Sequence, residues 1–171
     1  MEILGRGRFV ELVSEDGWEY VRRNNNSGIV VLIPVTADGR LILVEQHRPP
    51  VHARVIELPA GLAGDIPGEE LESFELAAQR ELEEETGYHA GRLERVWRGP
   101  VSAGLSTEVV DVFLATELEK IGAGGGDGSE DITVHEVPLA GVEDWLRAAM
   151  DRGVMVSAKV WLGLWFARDL A

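Results

Sequence analysis

"RELEEETGY", residues Arg80–Tyr88, sets four glutamates within five positions directly after an arginine. Reading back from it, "SFELAAQRELEEETG" predicts a helix. Ser73 suits the N-cap, Phe74, Ala77, Ala78 and Leu82 recur at helical spacing, and Gly87 stops the run. On that helix Glu81, Glu84 and Glu85 stand at i, i+3 and i+4 and share a face. Like charges so placed oppose helix formation by about 0.2–0.5 kcal/mol per pair. The macrodipole also disfavours anions near the C-terminal end. Two local rules broken in one place mark a candidate functional site. The residues alone leave two readings open: a solvated acidic face, or a carboxylate cluster for hard divalent cations, which take oxygen ligands.

Strands surround the helix. "RFVELV" and "WEYVRR" read as two short strands about a turn at Ser14–Gly17. "GIVVLIPVT", "ADG" and "RLILVEQHR" read as a hairpin of buried strands, the first arm too apolar to face water. "RVIELPAG" gives one strand ending at Pro59, before the loop "LAGDIPGEEL". After the helix come strands in "GRLERVWRG" and "EVVDVFLATEL", the glycine-rich "GAGGGDGSED" (Gly122–Asp131), and a strand in "ITVHEVP". Two helices finish the chain: "GVEDWLRAAMDRG", closed by Gly153, and "SAKVWLGLWFARDL", capped by Ser157. On the latter, Trp161, Leu164, Trp165 and Phe166 read as a core stripe. The class expected is α+β, an α/β/α sandwich.

Composition narrows the functions. At 171 residues the chain suits one domain with a real core. It holds 16 basic and 30 acidic residues, for a net charge of −14. That field repels nucleic acid and anionic membranes, and also a phosphorylated small molecule unless cations intervene. No cysteine is present, which excludes thiolate metal sites and fits a reducing compartment. "MEILGRGRFVEL" lacks the pattern of a signal peptide and no apolar run reaches membrane length, so a soluble cytoplasmic protein is expected.

Glu72, seven residues, then Arg80-Glu81-Leu82-x-Glu84-Glu85-x-Gly87-Tyr88 resembles the Nudix hydrolase signature, G-x5-E-x7-R-E-U-x-E-E-x-G-U, with U bulky and apolar. Every fixed position from the first glutamate onward is present. The signature glycine would fall on Ile66, whereas "LPAG" ends at Gly61, so the loop Leu62–Leu71 is roughly five residues longer than usual. "LILVEQHRP", "VIELPAGL" and "EDITVHEVPLAGVEDWL" extend the resemblance to the ADP-ribose pyrophosphatase and nucleotide-sugar hydrolase group, from about Gly28 to the C-terminus. That group often carries a proline in a Ser-Pro-Gly context beyond the box; Ala103 of "VSAGLSTE" stands there instead, which weakens the case for ADP-ribose itself.

The resemblance implies a Nudix fold with a mixed central sheet. A single domain would span 1–171, with 1–27 an N-terminal antiparallel strand region for dimerisation or base contact and 28–171 the catalytic core. It implies Mg²⁺- or Mn²⁺-dependent hydrolysis of nucleoside diphosphate sugars, ADP-ribose included, and a homodimer without nucleic-acid or membrane partners. Glu81 and Glu85 would hold metal, with Glu84 close by and Ala60 offering its carbonyl. Arg80 and Glu72 would form a rigidifying salt bridge. Glu130, ahead of Asp127 and Asp131, is the candidate base or further ligand, so that Glu130, Glu84 and Arg80 make up the catalytic set. Arg48 is the first candidate for phosphate, followed by Arg23 or Arg22, and Glu57 joins the substrate-binding set. Trp18 and Tyr20 would stack on the base, or else pack in an interface. His47 is assigned no metal role, since hard ions favour oxygen. Two alternatives stand beside this reading: hydrolysis of dinucleoside polyphosphates or other nucleotides, and a non-catalytic nucleotide-binding sensor on the same fold.

Overall fold

Strand β4, Gly28–Pro34, explains why the chain needs helices on two sides. Val31 and Ile33 join a core beneath the C-terminal helices, while Val30 and Leu32 join another beneath the first helix. All four are fully buried, so this apolar run is a strand covered on both faces. The computed structural model describes residues 1–24, 27–66, 68, 71–126 and 131–170.

Three strands precede β4 and form an antiparallel sheet of their own: β1 (Glu2–Arg6), β2 (Val10–Glu15) and β3 (Trp18–Arg23). Asp16 and Gly17, at φ 51° and 83°, make the tight β2–β3 turn expected there. The expected two strands are thus three. β1 carries no signal in the sequence because every residue of it is exposed, with no in-out alternation. Glu11 on β2 is buried between Arg6 (2.6 Å) and Arg22 (2.7 Å). β3 joins the body through its backbone: Val21 N donates to Leu105 O (2.8 Å) and Thr107 N to Val21 O (3.0 Å).

The remaining strands are β5 (Arg40–Arg48), β6 (Ala53–Glu57), β7 (Ala60–Ala63), β8 (Tyr88–Pro100), β9 (Val109–Lys120), β10 (Thr133–Pro138) and β11 (Met155–Val156). They form two four-stranded sheets, β7-β4-β9-β8 and β10-β5-β6-β11, rather than one. Each is mixed, since β4–β9 and β6–β11 run parallel and the other pairs antiparallel. The predicted β4–β5 hairpin does not form. The chain turns back at the Val35–Leu41 bridge, but β4 and β5 then enter different sheets. Pro34, at the end of β4, has no N–H with which to extend a ladder toward β5. "RVIELPAG" likewise divides at Leu58-Pro59 into β6 and β7, which belong to different sheets.

The helices are α1 (Phe74–Thr86), α2 (Val142–Asp151) and α3 (Ala158–Ala167). α1 begins and ends as expected: Ser73 Oγ accepts from Leu76 N (3.2 Å), and Gly87 closes it at φ 74°. Ala77, Ala78 and Leu82 bury α1 against one face, while Leu146 and Ala149 of α2 and Val160 and Ala167 of α3 cover the other. This is the α/β/α sandwich of an α+β protein. On α3 the core stripe matches the predicted one in part. Val160, Gly163 and Ala167 face inward and the predicted Leu164 and Phe166 pack, partly buried, against the same core, whereas Trp161 and Trp165 point out, Trp165 being 62% exposed. Gly163 lets the helix approach closely, for a Cβ there would lie 2.9 Å from Leu58. Small residues therefore meet the sheet and the indoles stay outside. No described helix is long and apolar enough to cross a membrane.

Candidate active site

α1 carries its acids along the edge of its buried stripe, and packing against β7 takes two of them inside. Glu85 is only 3% exposed and accepts from Ala60 N at 3.0 Å. The carboxyl of Glu81 rests on Gly61: a Cβ there would lie 1.9 Å from Glu81 Cδ and 2.2 Å from each oxygen. The glycine ending "LPAG" is therefore needed for space, a role the sequence does not signal.

Arg80 ties the cluster together. Its Nε and Nη2 donate to the two oxygens of Glu72 (3.2 Å each), its Nη1 to Glu81 (2.7 Å) and Glu84 (3.3 Å), and its Nη2 also to Leu62 O (2.9 Å). The expected Arg80–Glu72 salt bridge exists, and it fastens the helix to β7 and the loop. Burial pushes the Glu81 carboxyl up to about 7, aided by Glu84 and Asp65, against the pull of Arg80. Glu72 is held below the usual range by its hydrogen bond from Arg80, which outweighs burial. Burial alone would lower Arg80, but Glu72 and Glu81 outweigh it and raise the guanidinium above its ordinary value.

Ala60, Gly61, Leu62, Arg80, Glu81 and Glu84 open onto a cleft of about 610 Å³. Arg23, Arg48, Arg80 and Lys159 supply its positive charge, and Glu57, Asp65, Glu81, Glu84 and Glu108 its negative charge. Arg48 pairs with Glu57 (2.5 Å) and Arg23 with Glu108 (2.8 Å). Lys159 was not foreseen. Ser157 caps α3 by accepting from Lys159 N (3.3 Å) and so sets the lysine at the cleft rim, but nothing around "SAK" advertises that.

Other predicted residues stand elsewhere. Arg22 is occupied by Glu11, the Tyr20 hydroxyl donates to Glu15 (2.8 Å), and Trp18 is 64% exposed. None of these three lines the cleft within one chain. Asp131 pairs with Arg54 (3.1 Å), and His47 is exposed on β5. Asp127 and Glu130 lie outside the described residues.

Among the described residues no three acidic or imidazole side chains gather at metal-ligating separation, and Arg80 Nη1 stands between Glu81 and Glu84. The donor chemistry nevertheless fits a hard cation. Every candidate atom, on Glu81, Glu84, Glu85 and the Ala60 carbonyl, is a carboxylate or backbone oxygen.

The NUDIX domain matches this chain over residues 26–155. The chain belongs to the Nudix family. It is 39% identical over 128 residues to the ADP-ribose pyrophosphatase of Bacillus subtilis (strain 168), covering 74% of this chain and 65% of that protein. Against the GDP-mannose pyrophosphatase of Pectobacterium atrosepticum it is 32% identical over 125 residues, 68% of this chain and 62% of that protein. The solved structure of an ADP compounds hydrolase superposes with a TM-score of 0.66 at 25% identity, over 85% of this chain and 80% of that one. The chain thus spans less than two thirds of the length of these two curated Nudix relatives. Its Nudix signature, from Glu72 to Tyr88, is the loop and helix that Arg80 binds together.

Proposed function

We propose that this chain hydrolyses the diphosphate bond of nucleoside diphosphate sugars, ADP-ribose among them, with Mg²⁺ or Mn²⁺ as cofactor, releasing a nucleoside monophosphate and a sugar phosphate. The observation that carries the reading is the seating of Glu81 and Glu85 against Ala60 and Gly61, beside a cleft lined by four cationic side chains, Arg23, Arg48, Arg80 and Lys159. Relatives described as ADP-ribose and GDP-mannose pyrophosphatases support the substrate class. Glu81 and Glu85, with Glu84 and the Ala60 carbonyl, would hold the cation. When bound, the cation neutralises the diphosphate and acidifies a water.

The chain's own residues have distinct tasks. Arg48, Arg23 and Lys159 draw phosphate oxygens into an otherwise acidic cleft. Glu57 fixes the direction of Arg48, and Arg80 holds Glu81 and Glu84 in place. Water oxygen bonds to phosphorus, the bridging P–O bond breaks, and a carboxylate takes the water proton; we assign that proton to Glu130. Trp18 and Tyr20 reach a base only across a homodimer. The exposed Ile3, Leu4, Leu12 and Trp18 of the N-terminal sheet favour such a dimer. A cysteine-free chain of this kind suits the cytoplasm.

The test is a panel of ADP-ribose, ADP-glucose, GDP-mannose and a dinucleoside polyphosphate with Mg²⁺, reading released monophosphate for the unmodified chain and Glu85→Gln. Turnover of the sugars, lost by about 10²–10³ in the variant, is expected. A fully active Glu85→Gln would sink the proposal.

A further inference from the structure

The last carbonyls of a helix have no partner within it and carry its partial negative charge. In α1 those carbonyls belong to the residues that bear the acids. Gly125 N donates to Glu85 O (2.9 Å) and Gly126 N to Glu84 O (3.0 Å). Gly124, Gly125 and Gly126 all lie at positive φ, 69°, 109° and 80°, which only glycine adopts without strain. Gly124 is pressed against the helix end, where a Cβ would lie 2.4 Å from Thr86 C and 2.7 Å from Glu85 O. The contact is therefore backbone on backbone, and no flexible side chain can yield.

We propose that Gly124, Gly125 and Gly126 are positioning residues of the site: their clamp on the final turn of α1 aims the Glu84 and Glu85 carboxylates and offsets the negative helix end beneath them. The inference rests on the functional reading above. Without the two N–H donors the last turn would carry three burdens at once: open carbonyls, crowded anions and an unfavourable macrodipole. A terminal turn so loaded frays, and the carboxylates lose a common direction. The clamp also answers why α1 tolerates acids at its wrong end.

The experiment compares Gly124→Ala with Gly122→Ala. At Gly122 an added Cβ meets nothing nearer than Gly87 Cα at 3.9 Å, so that variant controls for the loop. Mn²⁺ affinity is measured by calorimetry, kcat and KM for ADP-ribose by monophosphate release, and folding by circular dichroism. Amide exchange at Gly125 and Gly126 is followed in the unmodified chain. Gly124→Ala should stay folded, bind Mn²⁺ about tenfold or more weakly and lose about tenfold or more in kcat, with KM within about threefold. Gly122→Ala should match the unmodified chain, and the Gly125 and Gly126 amides should be protected. A folded Gly124→Ala with unchanged Mn²⁺ affinity and kcat would overturn the proposal, as would freely exchanging Gly125 and Gly126 amides. If Gly124→Ala does not fold, the exchange measurement decides. Should the unmodified chain bind Mn²⁺ yet turn over no nucleotide sugar, the functional reading fails, while Mn²⁺ affinity and exchange still judge the clamp.

Discussion

Gly61→Ala isolates the seat of Glu81 without touching a functional group. The new methyl would lie 1.9 Å from Glu81 Cδ, so the carboxyl must retreat to about 3.4 Å, a displacement of about 1.5 Å. A misplacement of about 1 Å at a reacting centre costs roughly 10²-fold, which is about 2.7 kcal/mol of barrier. Hydrolysis of ADP-ribose should therefore fall by about 10²–10³-fold. Stability should barely move. Gly61 does not sit at positive φ, so alanine is tolerated and stiffens the unfolded chain by about 0.4–1 kcal/mol. Glu81 leaves a costly burial at the same time as it loses its bond from Arg80. The net change should lie within about 1 kcal/mol. Monophosphate release with Mg²⁺ and a urea transition give both quantities. A folded Gly61→Ala whose kcat stays within about threefold of the unmodified chain would refute the seat.

Four further outcomes follow from the geometry. In chelator, the folded pKa of Glu81 (about 7) exceeds its unfolded value of 4.5, so its stabilising contribution is complete below 4.5 and vanishes as pH rises toward 7. The loss is at most about 3 kcal/mol, and a urea midpoint that stays flat relative to Glu81→Gln over that window would contradict it. Glu72 has the opposite sign: its depressed pKa contributes stability present above the unfolded value and lost as pH falls through the folded one, and Glu72→Gln should cost about 1–3 kcal/mol in the same urea assay at neutral pH. Lys159→Ala should raise the KM for ADP-ribose about tenfold with folding intact, and an unmoved KM would remove the lysine from the substrate path. Arg48→Ala should raise KM similarly but also lose about 1–2 kcal/mol, because Glu57 is buried and left without its partner; the paired melts of the two variants separate these effects.

What the sequence discloses follows the range of the interactions involved. The span of α1, its serine cap and its glycine stop are local, and they stand where the residues predict. The signature glutamates with Arg80 and Glu72 are likewise legible, since one short segment contains them. The division of β6 from β7 was hidden because the partner of each strand is set by segments elsewhere in the chain, β5 and β11 for one and β4 for the other. Periodicity on α3 pointed to the tryptophans, yet the close approach at Gly163 favoured small residues against Leu58. Lys159 and the Gly61–Glu81 contact are tertiary accidents in the same sense: Gly61 and Lys159 stand 98 positions apart in the numbering, and no local pattern links them.

The inward stripe of α1 consists of Ala77, Ala78, Leu82, Glu85 and Thr86, so the apolar residues share one face of the cylinder with a carboxylate of the site. The hydrophobic packing is thus a rotational bearing, and its setting determines the compass heading of the acids. Swelling either alanine would turn the shaft before it loosened the molecule, so errors in the oily interior would surface first as a chemical misalignment.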